Sequence, residues 1–373
     1  MNNRQAVLSL LNVVDGNEKY IESLSELLDK SDAIYLYGAG IYGQRMIDFI
    51  ENYTPKNRDK IVGFLDDTAD KQGRTLYGVK IYNPLECLKT YNNELILICC
   101  DERGHEIICG KLSKYNVPKE KIVIPEISFV DFNQSALFIR ENIERIEKIF
   151  DRCVDDLSRK TFINVLKYRI AHQPELLTEI SVDLKNRYFE PGIVGCASDC
   201  VYLDCGSYIG DTLKQFIEYT NRHYKKAICC EAVQKNALLI SDLVKTEKYE
   251  NVEVYNIGTW NENTEVMFVE AGEKSGYIDS EGTTKIIVKT IDDILAGQKV
   301  DIVKIEVDGA EYESLQGMEK TIQAYNPIIA ISVYHNTSDI LLIPEKLIES
   351  GYKLFFRYYG KTTLTDVVCY AVM

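Results

Sequence analysis

The chain has no surplus of positive charge. Its 373 residues include 43 lysines and arginines against 57 aspartates and glutamates, giving a formal net charge of −14 and a pI near 5.0. Nucleic-acid phosphates are held by clustered Lys and Arg, so a nucleic-acid partner is excluded from the expectation. Long apolar runs are missing too: none approaches the ~18 residues of a membrane span. The N-terminus carries Leu8, Leu10, Leu11, Val13 and Val14, but neither a basic leader nor a small-residue cleavage site. A cytoplasmic protein is expected. Zinc-type spacing is also lacking. Cys196, Cys200 and Cys205 lie close together without ribbon spacing or a neighbouring histidine. The eleven cysteines are odd in number, and the pairs Cys99-Cys100 and Cys229-Cys230 end apolar strand-like runs. Buried reduced thiols, no disulfide framework and no metal are the expectation.

What is present describes a globular protein, 46% hydrophobic and 27% charged, long enough for two domains. Residues 1–30 show apolar positions at helical spacing, Ile21, Leu24, Leu27 and Leu28 among them, interrupted at Gly16-Asn17. The first α/β domain is expected over 31–128. Its opening strand, AIYLY, runs into Gly38-Ala39-Gly40-Ile41-Tyr42-Gly43, a G-x-G-x-x-G that starts a helix through about Tyr53. The strand IVGFLDD ends in Asp66 and Asp67, and Asp66 falls 23 residues beyond Gly43, near the distance at which an acid meets a ribose hydroxyl. ELILICC and KIVIPE complete a small parallel unit. Gly38, Gly40, Gly43, Asp66 and Asp67 are therefore a candidate nucleotide site; a Rossmann-like domain that binds nothing is the alternative. The run VGFLDDTADKQGRTLYGVKIYNP resembles the N-terminal domain of PglD-type sugar O-acyltransferases, a resemblance that implies a nucleotide-sugar as ligand class and no chemistry.

Residues 129–198 read as a helical connector, with Ile139, Ile143, Ile146, Phe150, Val154 and Leu157 at steps of three and four. It is expected to cover one edge of the second domain, 199–373. Arg187-Tyr188-Phe189 caps a ligand cleft or simply packs. The second domain opens on CVYLDCGSYIGD, a strand, a glycine loop and a helix start, with Asp204 ahead of the first glycine. Backbone N–H groups at such a loop approach a ligand closely, and the leading acid suits a cationic ligand bearing hydroxyls and an amine. The strand AICCE ends in Glu231, 21 residues after Gly210, again a ribose-binding position. NVEVYNIG ends near Asn256, and a polar excursion with strand-like EVMFVE and KIIVKT follows. DIVKIE runs into VDGAEYESLQG, where Glu306, Asp308 and Glu311 gather at a strand end. Helix capping explains one carboxylate there more readily than three. PIIAISVYH ends in His335, and YKLFFRYYG and TDVVCYAVM should pair antiparallel at the sheet edge.

This series of motifs resembles the FkbM family of S-adenosylmethionine-dependent methyltransferases over residues 152–373: YLDCGSYIGDT, the acid of CCEA, VKTIDDIL, VDIVKIEVDGAEYESLQGME, IIAISVYH, YKLFFRYYG and VVCYAV, in order. It implies a class I methyltransferase fold, a seven-stranded Rossmann-like α/β sheet with an antiparallel terminal hairpin, and methyl transfer from S-adenosyl-L-methionine to a hydroxyl of a sugar, glycan or other small molecule. By position, Asp204 would hold the methionine amine, directly or through water, and Glu231 the ribose hydroxyls. Cys205, Gly206, Ser207, Gly210, Asp211, Thr212, Ala232, Asn256, Ile257 and Glu306 would complete the cofactor site. Asp308, Glu311 and His335 are the candidate bases. Two departures stand out. The family signature K-x-D-x-E-G-A-E reads here Lys304-Ile305-Glu306-Val307-Asp308-Gly309-Ala310-Glu311, with the two acids exchanged. Tyr358 also stands where the family commonly has His. The rival readings are a nicotinamide-dependent nucleotide-sugar enzyme built on the first domain, which lacks a Tyr-x-x-x-Lys pair, and a non-catalytic binding module.

Overall fold

The computed structural model describes Val7, Leu10 and residues 15–125, 132–171, 173–196, 199–271, 275–278 and 282–373. A helix spans Asp15–Asp29 without a break, and the expected interruption at Gly16-Asn17 falls in its first turn. The first sheet contains β1 (Ile34–Tyr37), β2 (Ile61–Leu65), β3 (Thr75–Leu76), β4 (Val79–Tyr82), β5 (Leu95–Ile98) and β6 (Ile122–Val123), in the order β3-β4-β2-β1-β5-β6. β1 pairs parallel with β2 and β5. Both faces are covered: the helices Asp15–Asp29 and Ile41–Tyr53 bury Leu24, Leu28, Met46, Ile47 and Ile50 on one side, and the helix Glu102–Lys114 buries Ile108 and Leu112 on the other. That is why β5 (LILI) is apolar at every position.

The β3–β4 hairpin extends this sheet beyond the four strands expected. It turns at Tyr77 and Gly78, both at positive φ (51° and 73°), the two-residue turn whose twist matches that of paired strands. Its strands are only two and four residues long, too short for alternation to announce them.

The connector forms helices at Phe132–Glu141, Ile143–Arg152, Asp156–Ala171 and Pro174–Thr178. Phe162, Val165, Leu166 and Ile170 enter the same apolar core as Val303, Ile305, Ile329 and Ile331 of the second sheet, so the third helix is buried nearly all round. The chain on either side of it runs along the edge of that sheet, where Val154 donates to Leu354 O (3.0 Å) and Val182 to Tyr358 O (2.9 Å).

The second sheet contains β7 (Val201–Cys205), β8 (Lys226–Cys230), β9 (Val252–Tyr255), β14 (Ile302–Ile305), β15 (Ile328–Ser332), β16 (Lys353–Tyr358) and β17 (Val367–Val372), in the order β16-β17-β15-β14-β7-β8-β9. β17 is antiparallel to both β15 and β16. It therefore lies inside the sheet, and β16 forms the edge. The excursion between β9 and β14 folds as a separate four-stranded sheet: β10 (Gly258–Thr259), β11 (Thr264–Ala271), β12 (Ser275–Ile278) and β13 (Thr284–Lys289), ordered β10-β13-β11-β12. EVMFVE and KIIVKT are partners across it, with Glu265 opposite Ile287.

One expectation about cysteine is corrected. Cys196 and Cys200 form a disulfide, four residues apart and just ahead of β7. Nine cysteines are free; Cys99, Cys153, Cys205, Cys229, Cys230 and Cys369 among them are buried. Among the described residues no helix is long and apolar enough to cross a membrane.

Candidate active site at the carboxyl edge of the second sheet

Register brings the chemistry to one edge. Cys205 pairs with Ile305 and Cys230, and Ile305 with Ile331. Gly206, Glu231, Glu306 and the segment after Ser332 therefore leave the sheet together, where open α/β sheets bind ligands.

The glycine loop is held from three sides. Gly206 and Ser207 donate to Cys230 O (3.0 and 3.1 Å), and Ser207 Oγ donates to Asp204 O (2.9 Å). Gly206 has φ +78°, and a Cβ there would sit 1.8 Å from Glu306 O, so no other residue fits. Glu231 accepts the N–H groups of Tyr208 (2.8 Å) and Val233 (2.9 Å); burial raises its carboxyl, those amides opposing. Asn256 Nδ2 donates to the carbonyls of Glu231 and Ala232, both at 2.9 Å. Cys205, Ser207 and Thr212 are buried at the loop, Asp211 is exposed at the start of the helix Asp211–Tyr219, and Ile257 is half-buried beside Asn256.

Asp204, the candidate holder of the methionine amine, directly or through water, is 0% exposed, and the Lys304 Nζ lies 3.1 Å from its Oδ1. The same ammonium donates to Gly206 O (2.5 Å) and Cys205 O (3.3 Å). An ion cannot be buried without such partners; the pair is a strut beneath the loop. Sequence reasoning missed Lys304, although a lysine in the middle of an apolar strand is itself the signal.

Glu306 is clamped too. Tyr334 Oη donates to its Oε1 at 2.9 Å. Burial alone would raise the Glu306 carboxyl; the Arg187 guanidinium and the Lys304 ammonium prevail and hold it down at about 2. Arg187 arrives from the loop before β7 and forms an ion pair with Asp366, in the turn between β16 and β17. Its guanidinium lies 4.9 Å from the centre of the Tyr188 ring. The segment 187–189 thus both packs and supplies charge. Asp366 gave no signal in the sequence beyond a polar loop.

The three candidate bases adjoin one another without being equivalent. Glu311 is 0% exposed; it accepts from Val307 N (2.8 Å) and Gly309 N (3.0 Å) and lies 2.9 Å from His335 Nδ1. Its lone pairs are engaged in holding the loop. His335 Nε2 lies 3.5 Å from Asp308 Oδ1. Burial opposes charge on the imidazole, but Glu311 and Asp308 outweigh it and raise its pKa to about 9. At neutral pH it is an imidazolium with no lone pair for a proton. Asp308, at φ +50°, has a side chain 46% exposed and is the carboxylate that faces open space. Burial of its inner part raises its pKa, His335 opposing.

At the first sheet, Asp66 accepts from Ala39 N and Thr68 N, both at 2.9 Å, and pairs with Lys71. Asp67 pairs with Lys111 and accepts from Tyr37 Oη at 3.2 Å. Both acids brace the glycine loop and its surroundings. Gly38 and Gly43 are tightly packed, whereas a Cβ on Gly40 would meet nothing within 4 Å.

Residues 204–354 match the family model described as the methyltransferase FkbM domain, and residues 30–123 match that of the C2185-like N-terminal domain. The sugar O-acyltransferase resemblance has no counterpart among these matches. A solved structure of methyltransferase FkbM from Methylobacillus flagellatus is similar over 99% of both chains, with a TM-score of 0.69 and 19% identity. The fold is thus that of an FkbM methyltransferase throughout. Weaker similarities include the precorrin-6y C5,15-methyltransferase of Geobacter metallireducens (TM-score 0.31, 13% identity, 50% of this chain and 83% of that one). Another is Aeropyrum pernix fibrillarin, solved with S-adenosyl-L-methionine (TM-score 0.32, 9% identity, 50% and 73%). No curated protein matches.

Proposed function

We propose that the chain is an S-adenosyl-L-methionine-dependent methyltransferase acting on a hydroxyl of a sugar, glycan or other small molecule. The observation that carries this reading is the carboxyl edge of the second sheet, where register brings the braced glycine loop, Glu231 and the segment from Glu306 to Asp308 to adjacent strand ends, in a stretch matching the FkbM domain. The residues present fit the cofactor: a Cβ at Gly206 would strike the neighbouring strand end, which leaves bare backbone toward the ligand, and Glu231 ends β8 where ribose hydroxyls are bound in such sheets. When bound, the cofactor supplies an electrophilic methyl group.

The protein's own task is alignment and proton removal. Gly206–Gly210, Glu231 and Asn256 hold the cofactor, and Asp204 acts through Lys304 on the shape of the loop. Asp308 accepts the acceptor proton, and the imidazolium of His335 keeps that carboxylate ionised until it does. The exchange of Glu306 and Asp308 then has a rationale. The longer acid fills the clamp between Arg187, Lys304 and Tyr334, and the shorter one stands at the opening.

The test is calorimetric titration with S-adenosylhomocysteine. Wild type binds, and Glu231→Ala weakens binding at least tenfold, the loss of one bidentate carboxylate contact, ~1.5–3 kcal/mol. Absence of binding by the wild type would end this reading. A nucleotide-sugar at the first sheet, with Gly38, Gly40 and Gly43 as its cradle, is the second part of the proposal; the open space at Gly40 favours it.

A further inference from the structure

A second layer of charge lies behind Asp308 and His335. Asp339 starts the helix Asp339–Glu349 and Arg169 lies near the end of the helix Asp156–Ala171; they are 2% and 1% exposed. Arg169 donates through Nη1 to Thr337 O (2.8 Å), while its Nε and Nη2 meet no hydrogen-bond acceptor. Two buried donors without acceptors cost stability. The Asp339 carboxyl, raised by burial to about 7, lies within electrostatic reach of this guanidinium.

Asp339 reaches the active-site loop by hydrogen bonds. Its Oδ2 accepts from Asn336 N (3.0 Å), and Asn336 Nδ2 donates to Gly309 O (2.9 Å). Gly309 (φ +103°) directly follows Asp308 (φ +50°), a turn that non-glycine residues adopt only when neighbours hold it. Glu311 secures that turn through the N–H groups of Val307 and Gly309, and Asn336 secures it through the carbonyl.

We propose that Asp339 and Asn336 are positioning residues that keep Asp308 against His335. Without them the Gly309 carbonyl loses its donor and the Asp308 turn swings away from the imidazole. The charges facing His335 are Glu311 on the helix Glu311–Gln316, Glu306 and Asp308 beyond β14, and Asp339 on its own helix, with Arg169 behind Asp339; the Tyr334 ring lies 4.1 Å away. The acids nearest the ring all favour the imidazolium, so loosening Asp308 lowers the affinity of His335 for its proton.

This positioning role serves the methyl-transfer reading, but its test reads the imidazole itself and needs neither cofactor nor acceptor. The full chain is labelled with nitrogen-15 at histidine and the side-chain shifts are followed from pH 6 to 10. His335→Gln identifies the signal among the four histidines. Wild type should titrate near 9. Asn336→Ala and Asp339→Asn should each lower that midpoint by about one unit, a tenfold weaker proton affinity, and Asp339→Glu should restore it. An unchanged midpoint in Asn336→Ala overturns the proposal even if Asp339→Asn shifts, because loss of the Asp339 charge acts on His335 without any positioning. Should Asp339→Asn not fold, Asn336→Ala, at an exposed position, decides alone.

Discussion

Lys304 and His335 show how two single residues set the charge of the site. Each is a cation set among carboxylates, Lys304 beside Asp204 and Glu306 and His335 beside Asp308 and Glu311. Lys304 braces the glycine loop from below; His335 braces the Asp308 turn from the side. The consequence for stability follows from the raised pKa of His335. The unfolded imidazole titrates near 6.5 and the folded one at about 9, so the native state binds more protons between these values and stability falls as pH rises through that window. The contribution is fully present below pH 6.5 and is lost above about 9. With a side chain only 11% exposed, its size is on the order of 1–3 kcal/mol. Urea unfolding at pH 6.5 and 9.5 measures it: wild type should lose more stability than His335→Gln over that interval. Equal losses would show that the carboxylates around His335 do not hold its proton.

At the scale of elements, the glycine loop after β7 is the joint on which the site depends. Gly206→Ala would place a methyl group 1.8 Å from Glu306 O at a φ of +78°, costing about 1–3 kcal/mol in backbone strain alone and pushing β7 and β14 apart. The expected outcome is a lowered unfolding midpoint together with loss of S-adenosylhomocysteine binding by calorimetry. A stable variant that still binds would mean that the loop does not form this cradle. The elements themselves were largely readable in advance. β7, β8, β14 and β15 are apolar runs bounded by glycines and acids, and glycine spacing marked both strand-to-helix loops. What escaped reading depended on pairing over long sequence distances. The two-residue strand β3 has no pattern of its own, EVMFVE and KIIVKT find each other only in the folded chain, and a separation of four residues does not announce the Cys196–Cys200 disulfide. Candidate site residues were readable as types but not as roles. Asp204, Glu306 and Glu311 announce carboxylates at strand ends, and only the burial of each shows that Lys304, Arg187 or a pair of backbone amides has already engaged it.

At the scale of the whole molecule, groups at the edges of the two sheets lie within electrostatic reach of each other. Burial, and after it the carboxylates of Asp101 and Asp366, push the hydroxyl of Tyr42, in the first turn of the helix Ile41–Tyr53, up to about 12. Arg103 is held more basic chiefly by Asp101, with Asp366 and Tyr208 of the second unit contributing. In a chain of net charge −14, an anionic nucleotide-sugar needs local cations and backbone amides to be held at all, whereas a cationic sulfonium is drawn in by the field itself. An acceptor whose nucleotide rests on the first loop and whose sugar reaches Asp308 would use both edges at once. Gly40→Ala tests this without disturbing the fold, because the added methyl meets no protein atom within 4 Å and its effect on stability should stay within about 0.5 kcal/mol. The methyl would instead occupy the space a pyrophosphate needs against the loop backbone. Calorimetry with a UDP-linked sugar should therefore show binding by wild type and at least a tenfold loss in Gly40→Ala, while both proteins bind S-adenosylhomocysteine equally. If wild type fails to bind the UDP-sugar but keeps S-adenosylhomocysteine, the first sheet is not a nucleotide-sugar holder and the acceptor is recognised by the second unit alone.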